Sequence, residues 1–580
     1  MRRNTRKPRY TADFETATWL ENETYVWCWA VCEIGNDFKT NWGTNIESFI
    51  QWCKSCNNPA IYFHNLKFDG EFILSYLLFN GYKCTNGDSE IKNKTFKTLI
   101  SDMGQFFSIT VYFDKNNYCT FYDSLKIIPL KIEKMPKSFG LPIKKLDLDY
   151  QKERKRGYIP NEEELAYILN DVKIPAMSLK TLFDQNLNKM TQAGNAMQDF
   201  KDIIRYKTFN RFFPELPIEI DSDIRKAYRG GFTFLNDIHA NKTLYNGIVL
   251  DVNSLYPSVM YEKKLPIDYP IFFEGKYQHD NIYDIYVQRI ICRFELKNGK
   301  IPTIQIKDDK QNFNGTEYLK SSNGKIVALT LTNIDLKLFL ENYKTYDLEY
   351  IAGWKFRSCR GVFNGYIDKW SGEKIKAKKE ENKGMYTLAK LMLNSLYGKF
   401  GLNPITKSKT PYLYDGIVKY KTGAEEKRKP IYVPMALFIT SYAREKTIRT
   451  SQVIRDYSIQ KYGVDKYIYS DTDSIHTTLT ENELKQICDV DDYKLGAWKI
   501  ENTFKRGKFL RQKTYVEEID GKLKITCAGL PEACYDRVTF ENFNEDLTIE
   551  TGKLRYKHVI GGVKLVDTPF TIKKYGYLGF

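Results

Sequence analysis

The 580-residue sequence predicts a mixed α/β (α+β) protein, and three observations carry that expectation. Short apolar or alternating runs, such as YTADFETAT at 10–18 and GIVLDV at 247–252, read as strands. Longer segments with helical spacing, such as NEEELAYILNDVKIPAMSLKTLF and MYTLAKLMLNSLYGKFG, lie between them. At roughly 150 residues per domain the length makes about four folding units, or two large domains with insertions, and a hydrophobic share of 42% is enough for sizeable cores.

The formal charge of +16 makes a polyanion the first partner to consider. No stretch approaches the roughly 20 apolar residues that cross a bilayer, and the basic start MRRNTRKPRY has no apolar signal core, so the chain reads as soluble and intracellular. Eleven scattered cysteines suit reduced thiols better than a disulfide framework. Cys28, Cys32, Cys53 and Cys56 hint at zinc, but Cys28 and Cys32 fall four apart in the strand-like YVWCWAVC, too distant for one ion.

Along 10–18, alternation puts Asp13 and Glu15 on one strand face, where two acids repel unless a cation lies between them. TYVWCWAVCEI follows as the neighbouring antiparallel strand. IYFHNLKFDGEFILSYLLFN starts as a strand and becomes a helix from about Phe68, with Asp69 in its first turn, which by itself only suits the helix dipole. In the helix NEEELAYILNDVK, Tyr167 and Asp171 are four apart and share a face. A hydrogen-bonded helix pair explains this as well as a sharper alternative does, in which Asp13, Glu15, Asp69 and Asp171 converge on two metal ions and Tyr167 orients a water for phosphodiester hydrolysis.

These residues resemble the three motifs of the DEDD-type proofreading exonuclease of family B DNA polymerases. The resemblance implies a ribonuclease H-like 3′–5′ exonuclease domain. It makes Lys145 in PIKKLDLDY a catalytic-site lysine, matches YQKER at 150–154 to a YxKxR-type stretch, and assigns Asn65, Phe68, Ser124 and Leu125 to the single-stranded 3′ end.

Further on, YIYSDTDSIH at 467–476 sets Asp471 and Asp473 in a run that otherwise looks like buried strand. A tight turn accounts for it, and so does a divalent cation whose second carboxylate comes from elsewhere. Asp251, at the end of GIVLDV, is that candidate, because nucleotidyl transfer needs such a pair. Asp471 ranks as an outer ligand. NSLYPSVM continues as a short helix closed off by Pro257, and the amides of Val252 to Tyr256 are positioned to cradle phosphates. Lys390, Asn394 and Tyr397 share one helical face, with Gly398 ending the helix. FKRGKFLRQKTY at 504–515 interleaves cations with Phe504, Phe509 and Tyr515, the pattern of a nucleic-acid track and equally of a basic edge strand.

DVNSLYP, Lys390 to Gly398 and YSDTDS resemble motifs A, B and C of the protein-primed branch of family B DNA polymerases, and the resemblance spans essentially the whole chain. It implies a right-hand polymerase with palm, fingers and thumb, and catalysis by Asp251 and Asp473. Asp13, Glu15, Asp69, Asp171, Asp251, Val252 and Asp473 become the metal ligands, holding two Mg²⁺ per site that Mn²⁺ replaces. Tyr256, Leu255, Val252, Lys390, Asn394 and Tyr397 take the deoxynucleotide, Tyr256 leaving no room for a ribose 2′-hydroxyl. Tyr386 stands where a second triphosphate lysine is expected, and Lys378 or Lys383 compensates. Tyr228, Gly230 and Gly231 grip template, Thr440 and Arg444 lie near it, and Lys513 and Tyr515 hold the primer terminus.

The implied domains are exonuclease 1–190, reached through a polar connector; palm start 191–261; a first insertion 262–360; fingers 361–398; a second insertion 399–430, a hairpin; palm 431–530; and a small basic thumb 531–580, which includes Lys573 and Lys574. In the family the insertions engage a priming terminal protein and encircle the product. The expected partners are template and primer DNA, deoxynucleotides, a terminal protein and a single-stranded DNA-binding protein. The chain is expected to act in the host cytoplasm, away from membranes, as a monomer or paired with the terminal protein.

Overall fold

The computed structural model describes residues 7–85, 91–306 and 318–572, so Lys573 and Lys574 lie outside the described residues. Two separate sheets organise the chain. The first has eight strands, in the order Thr40–Gly43, Val26–Glu33, Arg9–Thr16, Ala60–Phe63, Tyr118–Asp123, Phe106–Tyr112, Thr95–Ile100 and Lys83–Cys84. Arg9–Thr16 is interior, antiparallel to Val26–Glu33 and parallel to Ala60–Phe63. Helix Glu162–Asp184 packs on Arg9–Thr16 and Val26–Glu33; it opens with a capping box in which Asn161 and Glu164 satisfy each other's backbone amides. Helix Leu66–Phe79 starts two residues before the expected Phe68, after Asn65 in the left-handed region at φ 81°. Cys28 and Cys32 are buried thiols, pushed up to about 12 chiefly by burial, which disfavours the thiolate that zinc needs.

The second sheet has seven strands, in the order Lys522–Cys527, Thr514–Ile519, Trp498–Arg511, Thr243–Val252, Ser474–Thr477, Tyr467–Asp471 and Thr233–Leu235. Its strands draw on widely separated stretches of chain, and helices Leu255–Glu262 and Val433–Tyr462 pack against each other beside it. Pro257 does not close the first of these helices. It is the third residue, where its missing N–H has no intrahelical partner to lose. Trp498–Arg511 is interior rather than an edge, and Phe504, Phe509 and Tyr515 are core, packed with Leu235, Val249, Ile468 and Tyr469. Those rings are therefore not free to stack on bases.

The expected polar connector is instead helix Gln192–Ile204, which buries Ala196, Met197 and Phe200 and packs on Lys383–Ser395. The Phe200 ring stacks on Phe363 at 4.7 Å. Its polar residues mislead because Gln192 and Asn195 are themselves buried, Asn195 accepting from the Lys189 amide at 2.7 Å. Residues 262–360 hold a four-stranded sheet, in the order Leu265–Glu274, Tyr343–Cys359, Ile285–Leu296 and Val327–Thr332, with helix Asn333–Asn342. Helices Asn364–Lys379 and Lys383–Ser395 form a helical hairpin, and Gly398 lies within the short helix Tyr397–Phe400 that follows. Two β-hairpins, 405–427 and 548–571, complete the architecture.

Candidate active sites

Each sheet carries one cluster of acids. On the first, Asp13 and Glu15 project from the interior strand, and helix Glu162–Asp184 brings Asp171 across it. One ligand oxygen from each of these three lies within 4.8 Å of the others. Asp69, from the first turn of Leu66–Phe79, accepts from the Phe14 amide at 3.3 Å and feels the charge of Asp13. Burial, followed by the charge of Asp171, pushes Asp13 up to about 7; burial and Asp13 hold Glu15 and Asp69 well above the usual range. The Asp171 Oδ1 atom is buried without a partner, while Oδ2 pairs with Lys145 Nζ at 2.9 Å.

One lysine against four acids leaves uncompensated negative charge in a low-dielectric site. A hard cation with oxygen ligands is what this donor set fits. Tyr167 meets Tyr150 through a 2.6 Å hydroxyl contact, so Tyr150 belongs to the site; spacing alone did not single it out. Arg154, also in YQKER, is buried on Trp27 and bonded to Glu164, a structural role.

At the mouth of this cluster Asn65 and Phe68 touch Tyr556 of the 548–571 hairpin, at 3.2 Å and with ring centroids 6.3 Å apart. Ser124 is buried and donates to the Phe63 carbonyl, so its hydroxyl serves the protein. It also contacts His64, whose other ring nitrogen meets the Leu130 carbonyl at 2.7 Å. Leu125 is half-buried, its amide capped by Asp123.

On the second sheet Asp251 stands opposite Ser474 in register, and the Val252 amide donates to the Asp473 carbonyl at 2.8 Å. Asp251 and Asp473 are thereby brought together. Burial, then the charge of Asp251, pushes Asp473 up to about 6. Asp251 is raised by burial against the pull of Lys499, whose Nζ is 3.3 Å away, a partner that the motifs did not indicate. Two like charges at a half-buried turn again suit a divalent cation. Asp471 does not join them as an outer ligand, because Lys513 Nζ holds both its oxygens at 2.8–2.9 Å. That ion pair, rather than free solvent, is where Lys513 sits, and Tyr515 lies in the core beneath it.

Around this pair, Tyr256 and Tyr397 stack with centroids 4.0 Å apart, and Lys390 acts on the Asp251 carboxyl. Asn394 is exposed. Two of the amides expected to cradle phosphate are already used, Val252 on Asp473 and Asn253 on Ala497 at 2.9 Å. Leu255 is buried in the core. Lys378 and Lys383 line a cleft of about 890 Å³ with Lys137 and Gly140 of the N-terminal part; the Lys383 stem lies against Gly140.

The template-side expectations are the most altered. Thr440 and Arg444 are buried, and Arg444 is bonded to Asp335, Ser441 and the carbonyls of Arg229 and Gly230, the last two at 2.7 Å. It positions the Tyr228–Gly231 loop from behind. Gly231 is required by the protein itself, since a Cβ there would meet Thr472 Oγ1 at 2.5 Å; around Gly230 there is open space. Tyr228 is half-buried beside Tyr397 and Gly401.

Comparison with known proteins identifies the family of the chain. Residues 54–491 match the family described as DNA polymerase type B, organellar and viral. The DNA polymerase of Bacillus phage Nf is 45% identical, covering 97% of this chain and 99% of its own length. That of Bacillus phage phi29 is 44% identical with the same coverage, and that of Streptococcus phage Cp-1 is 34% identical over 98% of this chain. Among solved structures, phi29 DNA polymerase complexed with primer-template DNA and incoming nucleotides superposes with a TM-score of 0.90. It is 42% identical and covers 98% of this chain and all of its own.

Proposed function

The chain belongs to the type B DNA polymerases of organelles and viruses and is a DNA polymerase with their fold; on that premise we propose that it copies a linear viral genome by protein-primed, strand-displacing synthesis and proofreads with a second, separate 3′–5′ exonuclease site. The observation that carries this reading is the pair of acid clusters on two different sheets, each with more buried negative charge than its lysines offset.

In the polymerase site Asp251 and Asp473, with the Val252 carbonyl, would hold divalent cations, Mg²⁺ or Mn²⁺. When bound, such ions activate a primer 3′-hydroxyl and stabilise the leaving pyrophosphate. Lys390 supplies positive charge on the triphosphate side of Asp251. The stacked Tyr256 and Tyr397 form a flat floor for the sugar and base, which favours a sugar without a 2′-hydroxyl. Lys513, by neutralising Asp471, keeps a third carboxylate from competing for the cations and fixes the turn that carries Asp473.

In the exonuclease site Asp13, Glu15, Asp69 and Asp171 would hold the second pair of cations. The Tyr167 hydroxyl, steadied by Tyr150, orients a water, and Lys145 limits the charge on Asp171. Asn65, Phe68 and Leu125 receive the frayed 3′ end.

Protein priming is supported by the positional resemblance of residues 262–360 and 399–430 to the insertions of the protein-primed branch; the first folds as a four-stranded sheet with a helix and the second carries the 405–427 hairpin. The partners are then template and primer DNA, deoxynucleotides and a terminal protein, with a single-stranded DNA-binding protein on the displaced strand, in the cytoplasm of the infected host. Among the described residues, no helix is long and apolar enough to cross a membrane. The test is transfer of the first deoxynucleotide onto a terminal protein from the same genome. A labelled protein–nucleotide adduct is expected. Extension of oligonucleotides with no adduct would assign the enzyme to conventional priming.

A further inference from the structure

The strand Ser474–Thr477, which leaves the turn bearing Asp473, lies between the strand that carries Asp251 and the strand that ends at Asp471. Its third residue, His476, stands opposite Val249 on one side and Tyr469 on the other. The imidazole sits among rings, with the centroids of Tyr469, Phe509 and Tyr515 5.2–5.4 Å away. In that apolar setting it meets a carboxylate. Glu517 of strand Thr514–Ile519 reaches across two intervening strands to place Oε1 2.7 Å from His476 Nδ1, and both side chains are buried. The other oxygen, Glu517 Oε2, is buried with no hydrogen-bond partner.

Packing alone does not call for this pair. Apolar side chains of similar volume would fill the space without an unsatisfied oxygen, and such replacements commonly leave stability unchanged or raise it. What the hydrogen bond adds is direction, since it holds one strand against another in a single arrangement. Strand Thr514–Ile519 is already joined to the near end of the turn: the Lys513 Nζ atom holds Asp471, and the Lys513 amide donates to the Tyr469 hydroxyl at 3.0 Å. One attachment leaves the turn free to pivot. With the second, the chain is held on both sides of Asp473, at 471 and at 476, against the repulsion that Asp251 exerts on it.

We propose that His476 and Glu517 are positioning residues of the polymerase site: their buried hydrogen bond fixes Asp473 at the separation from Asp251 that divalent cations require. This rests on the polymerase reading above. The pair acts through the strand and the turn, without touching nucleotide or cation. Mg²⁺ demands near-ideal octahedral geometry, so a small pivot of Asp473 costs rate more than it costs nucleotide binding.

The test compares two variants of the full-length enzyme. His476→Phe with Glu517→Met makes both partners apolar and keeps a ring in the cluster; Glu517→Gln keeps a hydrogen bond to Nδ1. All carry Asp13→Ala with Asp69→Ala, so that cation binding reports on the polymerase site. The apolar pair is expected to melt within a few degrees of its parent and to lose at least about tenfold in kcat for incorporation with Mg²⁺, at an unchanged nucleotide KM. Mn²⁺ alone, followed by electron paramagnetic resonance, should bind it several-fold more weakly. Glu517→Gln should restore both kcat and Mn²⁺ affinity. A folded apolar pair with parental kcat and Mn²⁺ affinity would overturn the proposal, as would Glu517→Gln impaired to the same extent. If the apolar pair does not fold, Glu517→Met alone, which leaves the ring packing in place, is read in the same way; if neither folds, the pair serves stability and the proposal falls. Absence of incorporation by the parent would instead overturn the polymerase reading.

Discussion

The two acid clusters solve the same electrostatic problem with different surroundings. In the N-terminal site four acids face one lysine, and burial drives Asp13 up to about 7. In the C-terminal site two acids meet at a half-buried turn; Lys499 lies 3.3 Å from one, Lys513 removes Asp471 from the set, and Asp473 rises only to about 6. The first depends more heavily on cations to hold its charge. The second is partly neutralised by the protein, consistent with a site that must also accept the negative charge of a triphosphate.

The sharpest way to break this comparison is to disable one site at a time. Asp251→Ala or Asp473→Ala should lower nucleotide incorporation by at least about 10³-fold and leave 3′–5′ degradation of single strands intact; Asp13→Ala with Asp69→Ala should do the reverse. Loss of both activities from either variant, with the circular dichroism spectrum unchanged, would mean that the sites are not separate.

Next in size is the buried support behind the polymerase site. Arg444→Ala strands the buried Asp335 carboxylate and should cost about 3–5 kcal/mol in denaturant unfolding of the C-terminal part. Arg444→Ala combined with Asp335→Ala should recover some of that, whereas additive losses would argue against the pairing. A smaller effect is expected from Lys145→Ala, which should slow degradation roughly 10–100-fold, scored as hydrolysis of a labelled oligonucleotide, with incorporation unchanged.

The last effect concerns acid. Burial holds His64 at about 4, below its ordinary 6.5, so the folded state binds fewer protons there than the unfolded state. The neutral ring's contribution is complete above pH 6.5 and is lost as pH falls towards 4, to a limit of about 3 kcal/mol. His64→Gln should therefore show a shallower fall in Tm between pH 6.5 and 4.5 than the parent chain. Parallel curves would remove this role.

Legibility followed physics that is local in sequence. Asp13 and Glu15 share a face because strand side chains alternate, Tyr167 and Asp171 because a helix turns every 3.6 residues, and both pairs lie where spacing puts them. Asp251 and Asp473 needed only the premise that a carboxylate at a strand end seeks a cation with a second one. What spacing does not encode is which neighbour covers a side chain. Phe504, Phe509 and Tyr515 read as stacking rings until Trp498–Arg511 proves interior to its sheet. Arg444 reads as a cation for DNA until Asp335, from the distant 262–360 segment, claims it. Gln192–Ile204 reads as linker because its buried polar residues find partners that no pattern reveals. The glycine at 231 is needed for Thr472, a contact across more than two hundred residues that no local pattern announces.

The claim on which all of this depends is that two distant places in one chain gather carboxylates for divalent cations. A crystal of the enzyme with primer-template, a non-hydrolysable deoxynucleotide and Mn²⁺, measured at the manganese absorption edge, tests it most directly. Anomalous peaks should appear both between Asp251 and Asp473 and among Asp13, Glu15, Asp69 and Asp171. Ordered nucleotide with no manganese touching Asp251 and Asp473 would contradict the account.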